Sequence, residues 1–265
     1  MVCIGVATSI AASRGYDPLF AAEWAATHRF DLLQVYLTDQ RASDRVLLRA
    51  LARVTGAAAM TCLVHAAEPL TGACRERFAT TIRAAHVLAE DGDALLVLHA
   101  NPETSLQKAM QGALLMKAEN IVPAIENYSR PGTGRNDFAY YLDLLKLLCH
   151  HGVPHLAVLD LPRYFNQADL AWAAGWAALR RTISHLAANR TGIILHLIDT
   201  TSTQQSDRTA WCSLGEGILP LKDALMALLE NGVHMIAAIL EYEAPDSCLA
   251  SRATLAQWLG GFTPS

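Results

Sequence analysis

The sequence predicts a single α/β domain, a (β/α)₈ barrel with parallel strands and an outer ring of helices. Its 265 residues suit this fold, which typically takes about 250. Short runs rich in Val, Ile and Leu alternate eight times with longer amphipathic stretches. The short runs are apolar on both faces, as expected for parallel strands covered on both sides. We therefore expect one domain over residues 1–265, without an internal boundary.

The chain thus contains eight units, each a strand followed by a helix. Such units imply right-handed crossovers, and eight of them favour a closed barrel over an open sheet. The predicted strands are Cys3–Thr8, Leu32–Leu37, Met60–His65, Ala94–His99, Ile121–Glu126, His155–Asp160, Gly192–His196 and Met235–Glu241. The predicted helices carry apolar residues at helical spacing. They are Asp17–Ala26, Asp44–Thr55, Cys74–Ala89, Ser105–Lys117, Asp137–His150, Asp169–Ala188, Leu219–Glu230 and Ala250–Leu259.

The composition argues against several classes of protein. Apolar residues make up 52% of the chain and charged residues 17%, which predicts a large core and not a disordered chain. The formal net charge is −4, and no long Lys/Arg run is present, so nucleic acid is not the expected partner. Because no apolar run approaches the roughly 18 residues of a membrane helix, we expect no membrane span.

The six cysteines predict a reduced, cytoplasmic protein, because no two of them form a CxxC pair. The first 17 residues have neither a basic segment nor a long apolar core, so we expect no signal peptide. The sequence does not determine the oligomeric state, and a homo-oligomer stays open.

Polar side chains interrupt the apolar pattern at the ends of six successive predicted strands. A polar residue often ends a strand simply because the chain meets water there, but six in succession favour a functional site. In a closed parallel barrel these ends converge around one mouth. The residues are His65, His99, Glu126 (followed by Asn127), Asp160, His196 and Glu241.

Carboxylates and imidazoles brought together at this mouth would be costly to desolvate unless a cation bound them. Glu126, Asp160, His196 and Glu241 offer three carboxylates and one imidazole. This donor set suits Mn²⁺, Mg²⁺, Co²⁺ or Zn²⁺ better than a thiolate-type structural zinc site. We therefore predict one divalent metal ion as the cofactor.

Several segments, in order along the chain, carry a resemblance to a known family. They read LQVYLTDQR, LVHAAEPL, VLHANPE, AIENYSRPGTG and HLIDTTSTQQSDRTAWCSLGEGILPLKDAL. In this order the chain resembles the xylose isomerase-like superfamily of TIM barrels. The superfamily includes sugar and sugar phosphate isomerases and epimerases, and the AP endonucleases of family 2.

The resemblance implies that one metal ion is held by Glu126, Asp160, His196 and Glu241. It also implies that Glu126 and Glu241 are the catalytic pair, one removing a proton and the other returning it. For the substrate-binding residues we predict His65, His99, Asn127, Arg163 and Arg208. The aromatic residues Tyr128, Tyr164, Phe165 and Trp211 could pack on a sugar ring or belong to the core.

The endonuclease branch uses more metal ligands, and this chain departs from its pattern. His65 and His99 match two of them and Asp207 a third, but Arg163 stands where that branch has a His. The other expected His is also missing, because its candidate positions hold Thr209 and Trp211. An arginine offers no lone pair to a metal, whereas its guanidinium suits a carboxylate or a phosphate.

The leading hypothesis is a divalent-metal-dependent isomerase or epimerase that acts on a sugar, sugar phosphate or polyol through a metal-stabilised enediolate. A metal-dependent AP endonuclease or other phosphodiesterase is the first alternative. The second is a barrel without catalytic activity that binds a ligand. For Arg163 and Arg208, as for Arg130 and Arg135, an exposed or salt-bridged arginine is the simpler interpretation.

Overall fold

The computed structural model describes residues 2–67, 70, 75–89, 93–128, 137–165, 172–202 and 208–261. Eight parallel strands close into a barrel, in which each strand pairs with the next barrel strand along the chain and the last pairs with the first, and helices surround it. The predicted fold class is therefore confirmed. The barrel strands are β1 (Cys3–Ala7), β2 (Leu32–Leu37), β3 (Thr61–Ala66), β4 (Ala94–Ala100), β5 (Ile121–Asn127), β6 (Leu156–Asp160), β7 (Ile193–Leu197) and β10 (Met235–Leu240).

The remaining elements lie between or beyond these strands. The helices are α1 (Pro18–Thr27), α2 (Asp39–Ser43), α3 (Arg45–Ala57), α4 (Arg75–Ala89), α5 (Leu106–Ala118), α6 (Phe138–His150), α7 (Pro162–Phe165), α8 (Ala173–Asn189), α9 (Leu221–Glu230) and α10 (Pro245–Gly260). A two-stranded antiparallel ribbon pairs β8 (Asp199–Thr200) with β9 (Trp211–Cys212). Two 3₁₀ helices span Thr8–Arg14 and Arg208–Ala210.

The eight predicted strands match the barrel strands to within one or two residues, but the short elements that follow them were not predicted. The 3₁₀ helix at Thr8–Arg14, α2, α7 and the β8–β9 ribbon each follow a barrel strand. They are too short to show a hydrophobic period. The last helix also begins earlier than predicted, at Pro245, because proline is favoured in the first turn of a helix.

Two apolar layers hold the barrel together. The larger one lies between the sheet and the helices. The smaller one consists of Ala7, Leu32, Leu63, Val97, Ala124, Val158, Ile194, Ala237 and Ile239, which come from every strand of the barrel and fill its interior.

The interior layer fixes which polar residues reach the mouth. Side chains alternate between the two faces of a strand, so the residue two positions beyond an interior residue also faces inward. Applied to Leu32, Leu63, Val97, Ala124, Val158, Ile194 and Ile239, this rule brings Gln34, His65, His99, Glu126, Asp160, His196 and Glu241 to the same end. Strand register adds that His99 pairs with Glu126 and Asp160 with His196.

None of the helices in the described ranges is long and apolar enough to cross a membrane. The cysteines in those ranges are all free: Cys3, Cys62, Cys149, Cys212 and Cys248. The sixth, Cys74, lies outside the described residues.

Candidate active site

A cavity of about 870 Å³ opens at the C-terminal mouth of the barrel. Its walls combine inward-facing strand residues with residues of the short elements that follow β1, β2, β6 and β7. The lining includes Gln34, His65, His99, Arg163 and Glu241, and also Tyr16, Tyr36, Arg41, Arg208, Trp211 and Glu243. Aromatic, hydrogen-bonding and charged groups of both signs thus meet in one cavity, as expected of a site for a small polar ligand.

Glu126 lies at the centre of the site and is only 1% exposed. Its Oε2 is 2.9 Å from His65 Nε2 and 3.4 Å from His99 Nε2. Its Oε1 is 2.9 Å from Arg163 Nη1 and 3.6 Å from His196 Nδ1. Burial by itself raises the pKa of this carboxyl, but Arg163, His99 and His196 together hold the pKa well below its usual value. Glu126 is therefore a carboxylate with a different set of partners on each oxygen.

On the Oε2 side, two imidazoles face Glu126. His65 donates from Nδ1 to the carbonyl oxygen of Ala66 at 2.9 Å, which directs its Nε2 toward the carboxylate. Burial lowers the pKa of His99, which favours the neutral imidazole that a metal needs. Among the described residues, His65, His99 and Glu126 form the one group of three whose ligand atoms all lie within 4.8 Å of one another. These two histidines, predicted as substrate-binding, are thus also candidate metal ligands.

On the Oε1 side, His196 presents a buried nitrogen without a hydrogen bond. Its Nε2 donates to Gln34 Oε1 at 2.8 Å, whereas Nδ1 is buried and unpaired. That Nδ1 is 3.6 Å from Glu126 Oε1 and 3.3 Å from Glu241 Oε1. Two ligands of a tetrahedral ion with bonds of about 2.1 Å lie roughly 3.4 Å apart. Each distance from His196 suits an ion shared with one carboxylate, but among the described residues these three do not form a group whose ligand atoms all lie within 4.8 Å of one another.

The fourth predicted ligand, Asp160, is paired with Arg163. Arg163 Nε lies 2.6 Å from Asp160 Oδ2, and its Nη1 donates to the carbonyl oxygen of Asn127. Burial raises the pKa of Asp160 to about 6 despite this arginine. The guanidinium thus contacts two of the four predicted ligands.

The carboxylates also act on His196. Burial alone would lower its pKa, but Glu241 and Glu126 more than offset this and raise the pKa to about 9. Without metal, Nδ1 therefore holds a proton that faces the two carboxylates at neutral pH, and a divalent ion at this site would have to displace it. The donor set of oxygens and imidazole nitrogens suits a hard or borderline ion.

Two other predicted site residues have partners of their own. Asn127 accepts a hydrogen bond from the Asp160 amide at 2.7 Å and donates to the Asp160 carbonyl oxygen at 3.1 Å. Its side chain therefore fixes the end of β6 and does not line the cavity. Arg208 does line the cavity, where it is 2.5 Å from Glu243 Oε1 and lies over the ring of Trp211.

The aromatic candidates divide between the core and the site. Tyr164 and Phe165 are fully buried and belong to the core, because α7 places them against α8 and not over the cavity. Trp211 lines the cavity, and Tyr128 lies against the His99 ring with 5.1 Å between centroids. Asp207, Arg130 and Arg135 lie outside the described residues.

The sequence prediction did not include Gln34, which is 2% exposed. Besides binding His196, it donates from Nε2 to Glu241 Oε1 at 3.2 Å. It therefore orients two of the predicted metal ligands. The signal was present in the sequence, because Gln34 is the one polar residue within the apolar run LLQVYL.

Asp199, which follows β7, has a structural function. Its carboxylate accepts hydrogen bonds from the amides of Thr200, Gly215, Gly217 and Leu219. A Cβ at Gly217 would lie 2.1 Å from Asp199 Oδ1, so glycine is required there. This carboxylate therefore organises the loop after β9 and is not available to a ligand.

No protein-family model matches the chain, and no curated protein matches it at a significant level. Solved structures do. An IolI protein with a bound zinc atom superposes with a TM-score of 0.70 at 13% identity over 100% of both chains. A D-psicose 3-epimerase with D-tagatose from Clostridium cellulolyticum H10 gives a TM-score of 0.64 at 13% identity, covering 98% of this chain and 99% of the other.

A third structure belongs to a xylose isomerase domain containing protein from Salmonella typhimurium LT2. Its TM-score is 0.66 at 14% identity, and the match covers 98% of this chain and 95% of the other. At these identities the similarity concerns the fold, and it extends over almost the whole of each chain. The chain therefore has the xylose isomerase-like TIM barrel fold.

Proposed function

We propose that the protein is a divalent-metal-dependent isomerase or epimerase of a sugar, sugar phosphate or related polyol. The observation that supports this most directly is the pair of glutamates beside His196. Glu126 and Glu241 approach the same unpaired nitrogen from two strands, at 3.6 and 3.3 Å. Two of the structural neighbours also bear on it, a D-psicose 3-epimerase with D-tagatose and a D-tagatose 3-epimerase-like protein.

The two glutamates would divide the proton transfer. Glu126 is buried and held by four side chains, whereas the Glu241 side chain is 29% exposed and lines the cavity. One carboxylate would remove a proton from the substrate carbon and the other would return it, which is general acid–base catalysis. Gln34 keeps Glu241 in position for this by donating to its Oε1.

The residues that would hold the metal ion are Glu126, Asp160, His196 and Glu241. A divalent ion supplies Lewis-acid stabilisation to the developing enediolate. Asn127 would fix Asp160 through its backbone, and His65, His99, Arg163 and Arg208 would orient substrate groups. The rings of Tyr36 and Trp211 in the cavity lining provide surfaces on which a sugar can pack.

A metal-dependent phosphodiesterase of the AP endonuclease kind is the second candidate. The observation in its favour is the group of His65, His99 and Glu126, because His65 and His99 match two of the additional metal ligands of that branch. Against it, Arg163 is paired with Asp160 at a position where the branch has a histidine. Cleavage of a duplex with one abasic site, stimulated by Mn²⁺ or Zn²⁺, would establish this activity.

The test of the proposed function is a screen of ketoses, aldoses, inososes and their phosphates with Mn²⁺, Mg²⁺, Co²⁺ and Zn²⁺. Glu241→Gln keeps the size of the side chain but removes the proton acceptor, so turnover should fall about 10²–10⁴-fold. A protein that gains no thermal stability from any of these metals and converts none of the sugars would instead be a ligand-binding barrel. We also propose a cytoplasmic location, because the cysteines lack the paired spacing of a disulfide framework, and the oligomeric state stays open.

A further inference from the structure

Arg163 occupies an unusual position for an arginine, between two residues that the proposed metal site requires. Its Nη1 is 2.9 Å from Glu126 Oε1 and its Nε is 2.6 Å from Asp160 Oδ2. A guanidinium has no lone pair and cannot bind a metal. It therefore acts on these carboxylates as a counter-ion.

One oxygen of Glu126 faces both Arg163 and the proposed metal site. Glu126 Oε1 contacts Arg163 and also lies 3.6 Å from the unpaired Nδ1 of His196. A dication between that nitrogen and that oxygen would share the oxygen with the guanidinium. Two cations on one buried oxygen repel strongly, so the metal ion and Arg163 compete for Glu126.

The position of the Arg163 backbone does not depend on its side-chain contacts, which include the carboxylates and the Asn127 carbonyl oxygen. Its helix, α7, is anchored by Tyr164 and Phe165, which are fully buried. The Arg163 side chain is 18% exposed and lines the cavity. A rotation about its own bonds would therefore turn the guanidinium from the carboxylates toward a ligand in the cavity.

The other arginines of the cavity lining have different neighbours. Arg208 contacts Glu243, and Arg41 donates to the carbonyl oxygen of Gly15 at 3.1 Å. Arg163 is thus the arginine of the lining that contacts the proposed catalytic glutamate. An anion bound to Arg163 would lie next to Glu126, one of the two proposed proton-transfer groups, and a guanidinium fork matches the two oxygens of a carboxylate.

We propose that Arg163 is an exchangeable counter-ion that neutralises Glu126 and Asp160 without metal and, once a divalent ion binds them, turns to hold the carboxylate of a sugar acid. This inference rests on the proposed function and narrows its substrate class. The substrate would be a polyhydroxy acid whose carboxylate adjoins the reacting carbon. Binding of metal and binding of carboxylate would then reinforce each other.

The first test uses the wild-type protein and titration calorimetry with Mn²⁺ as the metal. The titration is run alone and with glycolate, ethylene glycol or inorganic phosphate at fixed concentration. Glycolate should tighten Mn²⁺ binding by about 5–150-fold, the usual range of coupling between two sites. Ethylene glycol, which lacks the charge, should have no effect. Tightening by phosphate but not by glycolate would overturn the assignment to a carboxylate.

The second test uses Arg163→Gln, which removes the competing charge but keeps a polar side chain. Mn²⁺ should bind this variant more tightly in the absence of any anion, again by about 5–150-fold. In this variant glycolate should change the Mn²⁺ affinity by less than roughly twofold. Any change that remains measures the direct binding of glycolate to Mn²⁺. Arg41→Gln is the matched control, because Arg41 lines the same cavity but contacts the Gly15 carbonyl oxygen and not a proposed metal ligand, and its Mn²⁺ affinity should equal that of the wild type.

If Arg163→Gln does not fold, the effect of glycolate on Mn²⁺ binding to the wild type tests the proposal. Arg163→Lys then replaces the variant, and its Mn²⁺ affinity should be higher than that of the wild type. Equal Mn²⁺ affinity and equal glycolate coupling in wild type and Arg163→Gln would overturn the exchange. Turnover of a neutral sugar in the same preparation would then show that the proposed function survives. Absence of Mn²⁺ binding from both proteins would overturn the exchange and the metal dependence together.

Discussion

Histidines occur at both ends of the barrel, and their neighbours give them opposite properties. At the C-terminal mouth His196 faces Glu126 and Glu241, and these carboxylates raise its pKa to about 9 although burial opposes this. At the other end His155 donates to the carbonyl oxygen of Val153 at 2.8 Å, and burial lowers its pKa. Burial is common to both residues, so the carboxylates decide the difference.

The residues around His155 extend this contrast. Its Nε2 lies 3.9 Å from Cys149 Sγ, which is also 3.7 Å from His185 Nε2. Burial lowers the pKa of His185 as well, so neutral groups meet here without a carboxylate. Within the described residues, the C-terminal mouth combines buried carboxylates with a buried nitrogen that has no hydrogen bond, and buried charge of this kind needs compensation.

The largest expected effect follows from removing the central charge of the mouth. Glu126→Gln should reduce turnover by about 10²–10⁴-fold, because it removes one of the two proton-transfer groups. It should also lower the free energy of unfolding by roughly 3 kcal/mol, because Arg163 loses a buried partner. Sugar turnover and chemical denaturation measure the two effects. The control Glu230→Gln, at an exposed helix position, should change neither turnover nor stability. A Glu126→Gln protein that is as stable as the wild type would contradict the central position of Glu126.

The contrast between the two ends can be tested directly with Mn²⁺. His196→Asn should weaken Mn²⁺ binding by at least about 10–100-fold, the loss seen for removal of an outer partner of a metal ligand. His155→Asn should leave the affinity unchanged, because no carboxylate accompanies that histidine. Titration calorimetry of both variants measures this. Equal affinities in the two variants would show that the ion does not bind at His196 and would favour the His65, His99 and Glu126 group.

The pH dependence of stability should have opposite signs at the two ends in the metal-free protein. The raised pKa of His196 contributes stability that is fully present below about 6.5, the pKa of an unfolded histidine. That stability is lost as the pH rises through about 9. The lowered pKa of His155 instead makes the protein lose stability as the pH falls below about 6.5.

Denaturation curves across this pH range, measured for wild type, His196→Asn and His155→Asn, separate the two contributions. His196→Asn should remove the loss of stability on the alkaline side, and His155→Asn should reduce the loss on the acidic side. If His196→Asn retains the full alkaline loss, another group causes it.

The smallest effect is expected for Arg208, whose side chain is 61% exposed. Exposed ion pairs contribute little because water screens them, so Arg208→Gln should change the free energy of unfolding by less than about 1 kcal/mol. If Arg208 contacts the substrate, the variant should raise KM while kcat is retained. A larger loss of stability would show that its contact with Glu243 is structural.

Much of the site followed from the strand pattern, and the omissions have physical reasons. The polar ends of six strands were predicted because they interrupt apolar runs, and the carboxyl ends of parallel strands meet at one mouth of a closed barrel. Gln34 was omitted because it lies within a strand run and not at the end of one, although it is two residues beyond the interior Leu32. Tyr164 and Phe165 could not be assigned to core or cavity because α7 has only four residues, too few to show a period.

The eight-fold alternation of strands and helices, the closed parallel barrel and the polar residues at its mouth could be predicted from the sequence. These features depend on local periodicity and on the connection rules of parallel sheets. How the polar residues pair is set by the folded molecule. It placed Arg163 against Glu126 and Asp160, left His196 Nδ1 unpaired and brought His65 and His99 to the other oxygen of Glu126. Such pairings depend on small differences in the distances between side chains of different strands, and no pattern along the chain specifies these distances.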